Sequence, residues 1–145
     1  MIIIYSILIA IFCSLAVKIA GIYCVKNVLA EFQSSIILLI VPAYSRASML
    51  FGIRYFKYGR DVGTGRDLFK KKLPIEDFLF LAIPIILSFS LGIRGLIING
   101  AFALSVFLIL WFYKKKMGCI TGDMLGAMCE ITESVLFLVA GMSLL

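Results

Sequence analysis

Histidine is absent from the 145 residues. That removes imidazole acid/base catalysis, Ser-His-Asp and Cys-His nucleophile systems, and histidine-ligated metals from this chain. Charge is scarce as well: Asp, Glu, Lys and Arg together make 15% of the chain, where a soluble domain carries roughly a quarter. With 63% hydrophobic residues and a mean hydropathy of +1.12, a soluble globular domain is excluded. The four cysteines, Cys13, Cys24, Cys119 and Cys129, form no CxxC pair. Two of them lie in apolar runs, so they read as small buried hydrophobes rather than as a zinc or redox site. No Lys or Arg precedes the first apolar run and no small-residue cleavage site follows it. A signal peptide is therefore not indicated, and the first segment is expected to stay in a membrane. There is no repeat and no low-complexity tract.

What is present is a series of apolar runs near the length of about 20 residues that a membrane-crossing helix needs. Five candidates lie at 1–25, 34–53, 78–93, 96–113 and 124–145, the last carrying Glu130 and Glu133 in its first half. The chain reads as one all-α polytopic membrane domain over 1–145, a helical bundle of about five transmembrane helices. Pro42 lies inside the second span and Pro84 inside the third, where each is expected to bend its helix.

The net charge of +6 on so apolar a chain points to loops facing anionic lipid rather than to a nucleic-acid groove. The segment 54–72 holds seven basic residues and the segment after the fourth span holds Lys114, Lys115 and Lys116, whereas the two other connections hold Lys26 and Arg94. Helix parity places both rich loops on one side, which sets the N-terminus inside and the C-terminus outside. Trp111, Tyr113, Tyr55 and Tyr58 flank these loops, as an interfacial aromatic belt would.

Three stretches carry candidate chemistry. Arg46 lies within the second span, where a guanidinium is costly and normally faces a partner or a wet cavity, or snorkels to the interface. Tyr58 to Asp67 reads YGRDVGTGRD, and its glycines and arginines could present backbone N–H groups and guanidinium forks to phosphate oxygens. It lacks the Lys-Ser or Lys-Thr of a Walker loop, and a glycine-rich turn near lipid headgroups explains the same composition. Gly118 to Glu133 leads a short loop into a helix with Asp123, Glu130 and Glu133 near one face, Gly126 and Ala127 between them. Such carboxylates suit a hard cation such as Mg²⁺. Pairing with Lys114 to Lys116, or capping by Thr121 and Asp123, is the alternative.

Together these stretches resemble the cobalamin synthase family, the membrane adenosylcobinamide-GDP ribazoletransferases. The match lies in PAYSR from Pro42 to Arg46, in Tyr58, Arg60, Gly63 and Gly65, and in TGDMLGA from Thr121 to Ala127 with Glu130 and Glu133 after it. It covers essentially the whole chain and looks like the C-terminal part of a longer protein. The family's Asp-Gly-rich Mg²⁺ motif is not in this chain, and Gly118-Cys119 stands where the family usually has paired glycines.

The resemblance implies the final steps of cobalamin biosynthesis in a bacterial or archaeal inner membrane. A ribose hydroxyl of α-ribazole, or of its phosphate, attacks the phosphate attached to cobinamide in adenosylcobinamide-GDP, and GMP leaves. It further implies Asp123, Glu130 and Glu133 as Mg²⁺ or hydroxyl-positioning groups, and Arg46 and Arg60 on the diphosphate. Gly63, Gly65, Thr121 and Gly122 would lie against substrate. A separate N-terminal half or a homo-oligomer is the implied protein partner, and the chain by itself is expected to insert without turning over. The rival readings are a non-enzymatic membrane subunit or transporter piece, which predicts internal symmetry that is not seen, and another alcohol phosphatidyltransferase, which would need its own Asp-rich motif.

Overall fold

The computed structural model describes residues 2–59, 69 and 74–142. Among them every regular element is helical. These are α1 (Ile2–Val28), α2 (Glu31–Tyr55), a 3₁₀ segment (Ile75–Leu81), α3 (Ala82–Phe89), α4 (Ile93–Lys116) and α5 (Gly122–Gly141). Four of them, α1, α2, α4 and α5, are long and apolar enough to cross a membrane. The expectation of an all-helical bundle holds, and each of these helices overlaps an expected span. The last described residue is Met142, so the end of the expected fifth span lies outside the described residues.

The third expected span is different. The chain enters it at Pro74 and forms a 3₁₀ segment, then converts to α-helix at Ala82. Pro84 is buried at the third position of α3, within the first turn, where a proline is tolerated. Instead of kinking a long helix, it sits just past the change of helix type. Seven residues at about 2.0 Å and eight at about 1.5 Å per residue give roughly 26 Å, enough to traverse the bundle though too few residues for an ordinary spanning α-helix.

Backbone pairing between two loops settles that this segment does traverse it. The N–H of Gly59 donates to the carbonyl of Ile120 at 2.9 Å, and that of Ile120 to the carbonyl of Lys57 at 3.0 Å. Gly59 follows the end of α2 and Ile120 follows the end of α4, so both helices end on the same side and run parallel. The 3₁₀–α3 segment between them must therefore run back the other way. Phe51, near the end of α2, meets Phe78 edge-on at 5.2 Å, and Asn99, in the second turn of α4, donates to Ser88 at the end of α3 at 2.7 Å. Among the described residues the four long helices and the 3₁₀–α3 segment make five passes through the bundle, and the stretch Lys57–Gly59 shares one end with the loop after α4.

The centre of the bundle is α5, which touches α1, α2 and α4. Leu125, Met128, Thr132, Leu136 and Ala140 recur at helical spacing and are buried. Tyr44 of α2 donates to Asn99 of α4 and stacks near Phe102, with ring centroids 4.7 Å apart. That Tyr44–Asn99–Ser88 chain ties three helices through groups that lipid could not satisfy. On α1 most side chains face outward, among them Phe12, Leu15, Ile19 and Tyr23. Cys13 and Cys24 are exposed and free, which corrects the expectation of buried thiols there: Cys13 lines an open groove between α1 and α5, and Cys24 lies at the α5 edge beside Gly141.

Candidate functional site

The loop after α4 is shaped by its own sequence. Gly118 takes φ of +68°, a left-handed conformation favourable to glycine, and its N–H, like that of Met117, returns to the Tyr113 carbonyl. Tyr113 is buried, and its hydroxyl donates to the carbonyl of Met124 at 2.9 Å. Its role is thus to tie the end of α4 to the first turn of α5, where an interfacial anchor was expected. Thr121 is the N-cap of α5, its Oγ1 accepting the N–H of Met124 at 3.4 Å. Gly122 and Asp123 follow as the first two helical residues, both exposed.

Against this loop lies the start of the glycine-rich stretch. Tyr58 and Ile120 form a parallel bridge, and a Cβ on Gly59 would meet the Cys119 sulfur at 2.6 Å, so with Cys119 as placed the close approach of the two loops favours glycine at 59. Tyr58 packs on Phe69, with ring centroids 5.1 Å apart. The chain thereby enters the arginine- and glycine-rich segment directly beside Thr121, Gly122 and Asp123. Arg60, Gly63 and Gly65 themselves lie outside the described residues. At the N-terminus of α5 the helix dipole favours an anion.

The acids further along α5 have a different environment. Lys18 Nζ, from the middle of α1, lies 2.6 Å from Glu130 Oε2 and 2.8 Å from Glu133 Oε2. Ser14 donates to Glu130 at 3.3 Å and lies 3.2 Å from the Ser134 hydroxyl. The sequence suggested Asp123, Glu130 and Glu133 together as Mg²⁺ groups; between the last two sits an ammonium group of the chain. Asp123 is seven positions from Glu130, roughly 10 Å along a helix at 1.5 Å per residue. Sharing a helix face therefore does not gather the three carboxylates. Among the described residues no group of three or more Asp, Glu, Cys or His is placed to hold a metal ion.

Lys18 is the residue that sequence reasoning passed over. Its signal was present: a lone charge inside an apolar span requires a partner. The expected alternative partners for the acids, Lys114 to Lys116, lie at the end of α4, where Lys115 sits 5.1 Å over the Trp111 ring. Arg46 lies on the outward stripe of α2 with Phe32, Ser35, Leu39 and Ala43. It has no hydrogen bond or ion pair among the described residues.

The model of the family described as cobalamin-5-phosphate synthase matches residues 6–141. Three similar proteins are each named adenosylcobinamide-GDP ribazoletransferase. That of Alkaliphilus oremlandii (strain OhILAs) is 31% identical over 113 residues, which is 77% of this chain and 46% of the relative. That of Clostridium tetani (strain Massachusetts / E88) is 30% identical over 121 residues, 81% of this chain and 47% of the relative. That of Desulfitobacterium hafniense (strain Y51) is 33% identical over 119 residues, 75% of this chain and 44% of the relative. The chain thus spans somewhat under half the length of these relatives. No solved structure matches it.

Proposed function

The chain belongs to the cobalamin-5-phosphate synthase family, and from that premise we propose that it carries the phosphate-handling end of an adenosylcobinamide-GDP ribazoletransferase in a cell membrane. In the proposed reaction a ribose hydroxyl oxygen of α-ribazole, or of its phosphate, bonds to the phosphorus attached to cobinamide. The P–O bond to the second phosphate breaks, GMP leaves with the electron pair, and the hydroxyl proton passes to solvent. Phosphoryl transfer of this kind asks the protein for positioning and for charge stabilisation more than for covalent help, so a site without histidine is adequate.

The observation that carries the reading is the pairing of Gly59 with Ile120. It supports a single site built from both basic loops: Arg60 and the Gly63–Gly65 backbone on one side of the diphosphate, Thr121, Gly122 and the N-terminus of α5 on the other. An exposed carboxylate at a helix start suits Mg²⁺ in the mode where the ion takes one or two carboxylates and draws its remaining ligands from water and substrate phosphates. Asp123 would hold it so. Bound there, the ion would neutralise charge on the diphosphate. Glu130 and Glu133, already neutralised in part by Lys18, are assigned to the bundle rather than to that ion. The remainder of the site is proposed to come from polypeptide corresponding to the part of the relatives that this chain does not span.

The test is transfer activity in membranes containing this chain together with that remaining part of a relative. Asp123→Asn should lower GMP release by at least about a hundredfold, the scale of losing an ion-positioning group, with the membrane-inserted amount unchanged. Retained activity would reject the assignment.

A further inference from the structure

Glu130 and Arg46 pose matching problems at the same depth. One ammonium, Lys18, is shared by Glu130 and Glu133, which leaves the trio with a net charge of −1, and the Glu130 side chain is 58% exposed. It opens into a groove of about 810 Å³ between α1 and α5, lined by Cys13, Ser14, Ala127, Ile131 and Ser134 among others. Lys18 and the Ser14 hydroxyl both meet Glu130 Oε2, and the exposed remainder of this carboxylate on the outer wall of a membrane helix is costly unless further protein covers it. Arg46 is the converse case, a guanidinium on the outward stripe of α2.

The depths follow from the fold. Arg46 lies nine residues before the end of α2 at Tyr55, and Glu130 eight residues after the start of α5 at Gly122. At 1.5 Å per residue these are roughly 13 Å and 12 Å from the two helix ends, and the Gly59–Ile120 pairing puts those ends on the same side. Among the described residues the other Lys and Arg side chains lie toward one end or the other of the bundle, Lys18 apart. In a second copy inserted with the same orientation, Arg46 therefore arrives at the level of Glu130 with no vertical shift. The two faces are distinct: α5 meets α2 through Cys129, whose Sγ lies 3.5 Å from Ser45 Oγ, whereas Glu130 and Ser134 point toward α1.

We propose that two copies of this chain associate head to tail in the membrane, the outward stripe of α2 in one copy seated in the α1–α5 groove of the next, with Arg46 paired to Glu130. Antiparallel packing of α2 against α1 and α5 follows from their directions. Small Ala43 and Ala127 leave room for close approach, and a heterologous contact of this kind repeats from copy to copy and closes into a ring when its rotation allows. The contact makes no use of the proposed transfer chemistry, so it is tested independently of it.

Two differently tagged versions of the full chain are co-expressed and oxidised in membranes. One retains Cys13 as its only cysteine, and the other has all four native cysteines replaced by serine and carries Ala43→Cys. Disulfide dimers bearing both tags are expected. Arg46→Glu in the second version should reduce them by about tenfold or more, the scale of unpairing a desolvated charge, and Glu130→Lys in the first should restore them. Restoration separates a broken contact from a misfolded variant. Three results would overturn the proposal: monomers only, dimers formed by the Cys13 version with itself, or mixed dimers indifferent to Arg46→Glu. The first would leave the groove to a different polypeptide or to lipid, the second to a face-to-face copy.

Discussion

Lys18 of α1 reaches both Glu130 and Glu133 of α5, at 2.6 Å and 2.8 Å, from the middle of an otherwise uncharged stretch of helix. Most of α1 faces outward, and where it meets α5 this ion pair adds to the close packing of Gly21 on Phe137. Removing the cation leaves two neighbouring carboxylates without their neutralising partner.

Lys18→Met should therefore destabilise the detergent-solubilised chain by about 2 kcal/mol, below the range for fully buried pairs because Glu130 is partly exposed. Adding Glu130→Gln and Glu133→Gln to the same chain should recover most of that loss. Thermal unfolding followed by helical circular dichroism measures both, and an unchanged midpoint in Lys18→Met would remove the pair from the account of stability.

Parity gives a second prediction. Single cysteines at Lys57 and Lys115, in a chain otherwise free of cysteine, should both resist a membrane-impermeant maleimide in sealed cells, while cysteines at Ala30 and Ser90 should both react. The positive-inside bias fixes which pair is protected. Opposite behaviour of Lys57 and Lys115 would mean that the 3₁₀–α3 segment does not cross.

Much of this was legible in the sequence, and the failures have physical causes. Apolar run length and the Lys and Arg count found five passes and put both rich loops on one side, because membrane insertion acts on those same quantities. The broken third pass escaped because hydropathy does not distinguish a 3₁₀ segment entering at Pro74 from an α-helix. Tyr113 was expected at the interface because amphipathic aromatics collect there, yet its hydroxyl has a backbone acceptor in Met124. Lys18 and Glu130 are brought together from residues 112 positions apart, and no local spacing signals that. The pairing of Gly59 with Ile120 is equally silent, since one bridge between two short loops has no period to detect.

That pairing supplies a third prediction. Gly59→Ala puts a Cβ against the Cys119 sulfur, at 2.6 Å in the present geometry, and should separate the loops. Amide exchange at Ile120, whose N–H is bonded to Lys57, should accelerate by about tenfold, equivalent to about 1.4 kcal/mol. Cys119→Gly in the same chain should slow it again. Equal protection in the wild-type chain and Gly59→Ala would show that the close approach is not required.

The most direct test of the account asks whether the joined loops hold the diphosphate. Membranes containing this chain are incubated with adenosylcobinamide-GDP labelled in its GDP portion, with and without Mg²⁺, and the retained label is measured. The account predicts saturable retention that Mg²⁺ strengthens and that Asp123→Asn combined with Arg60→Gln abolishes at equal chain content. Absence of saturable retention in the wild-type chain, or retention unchanged in the double variant, would contradict it.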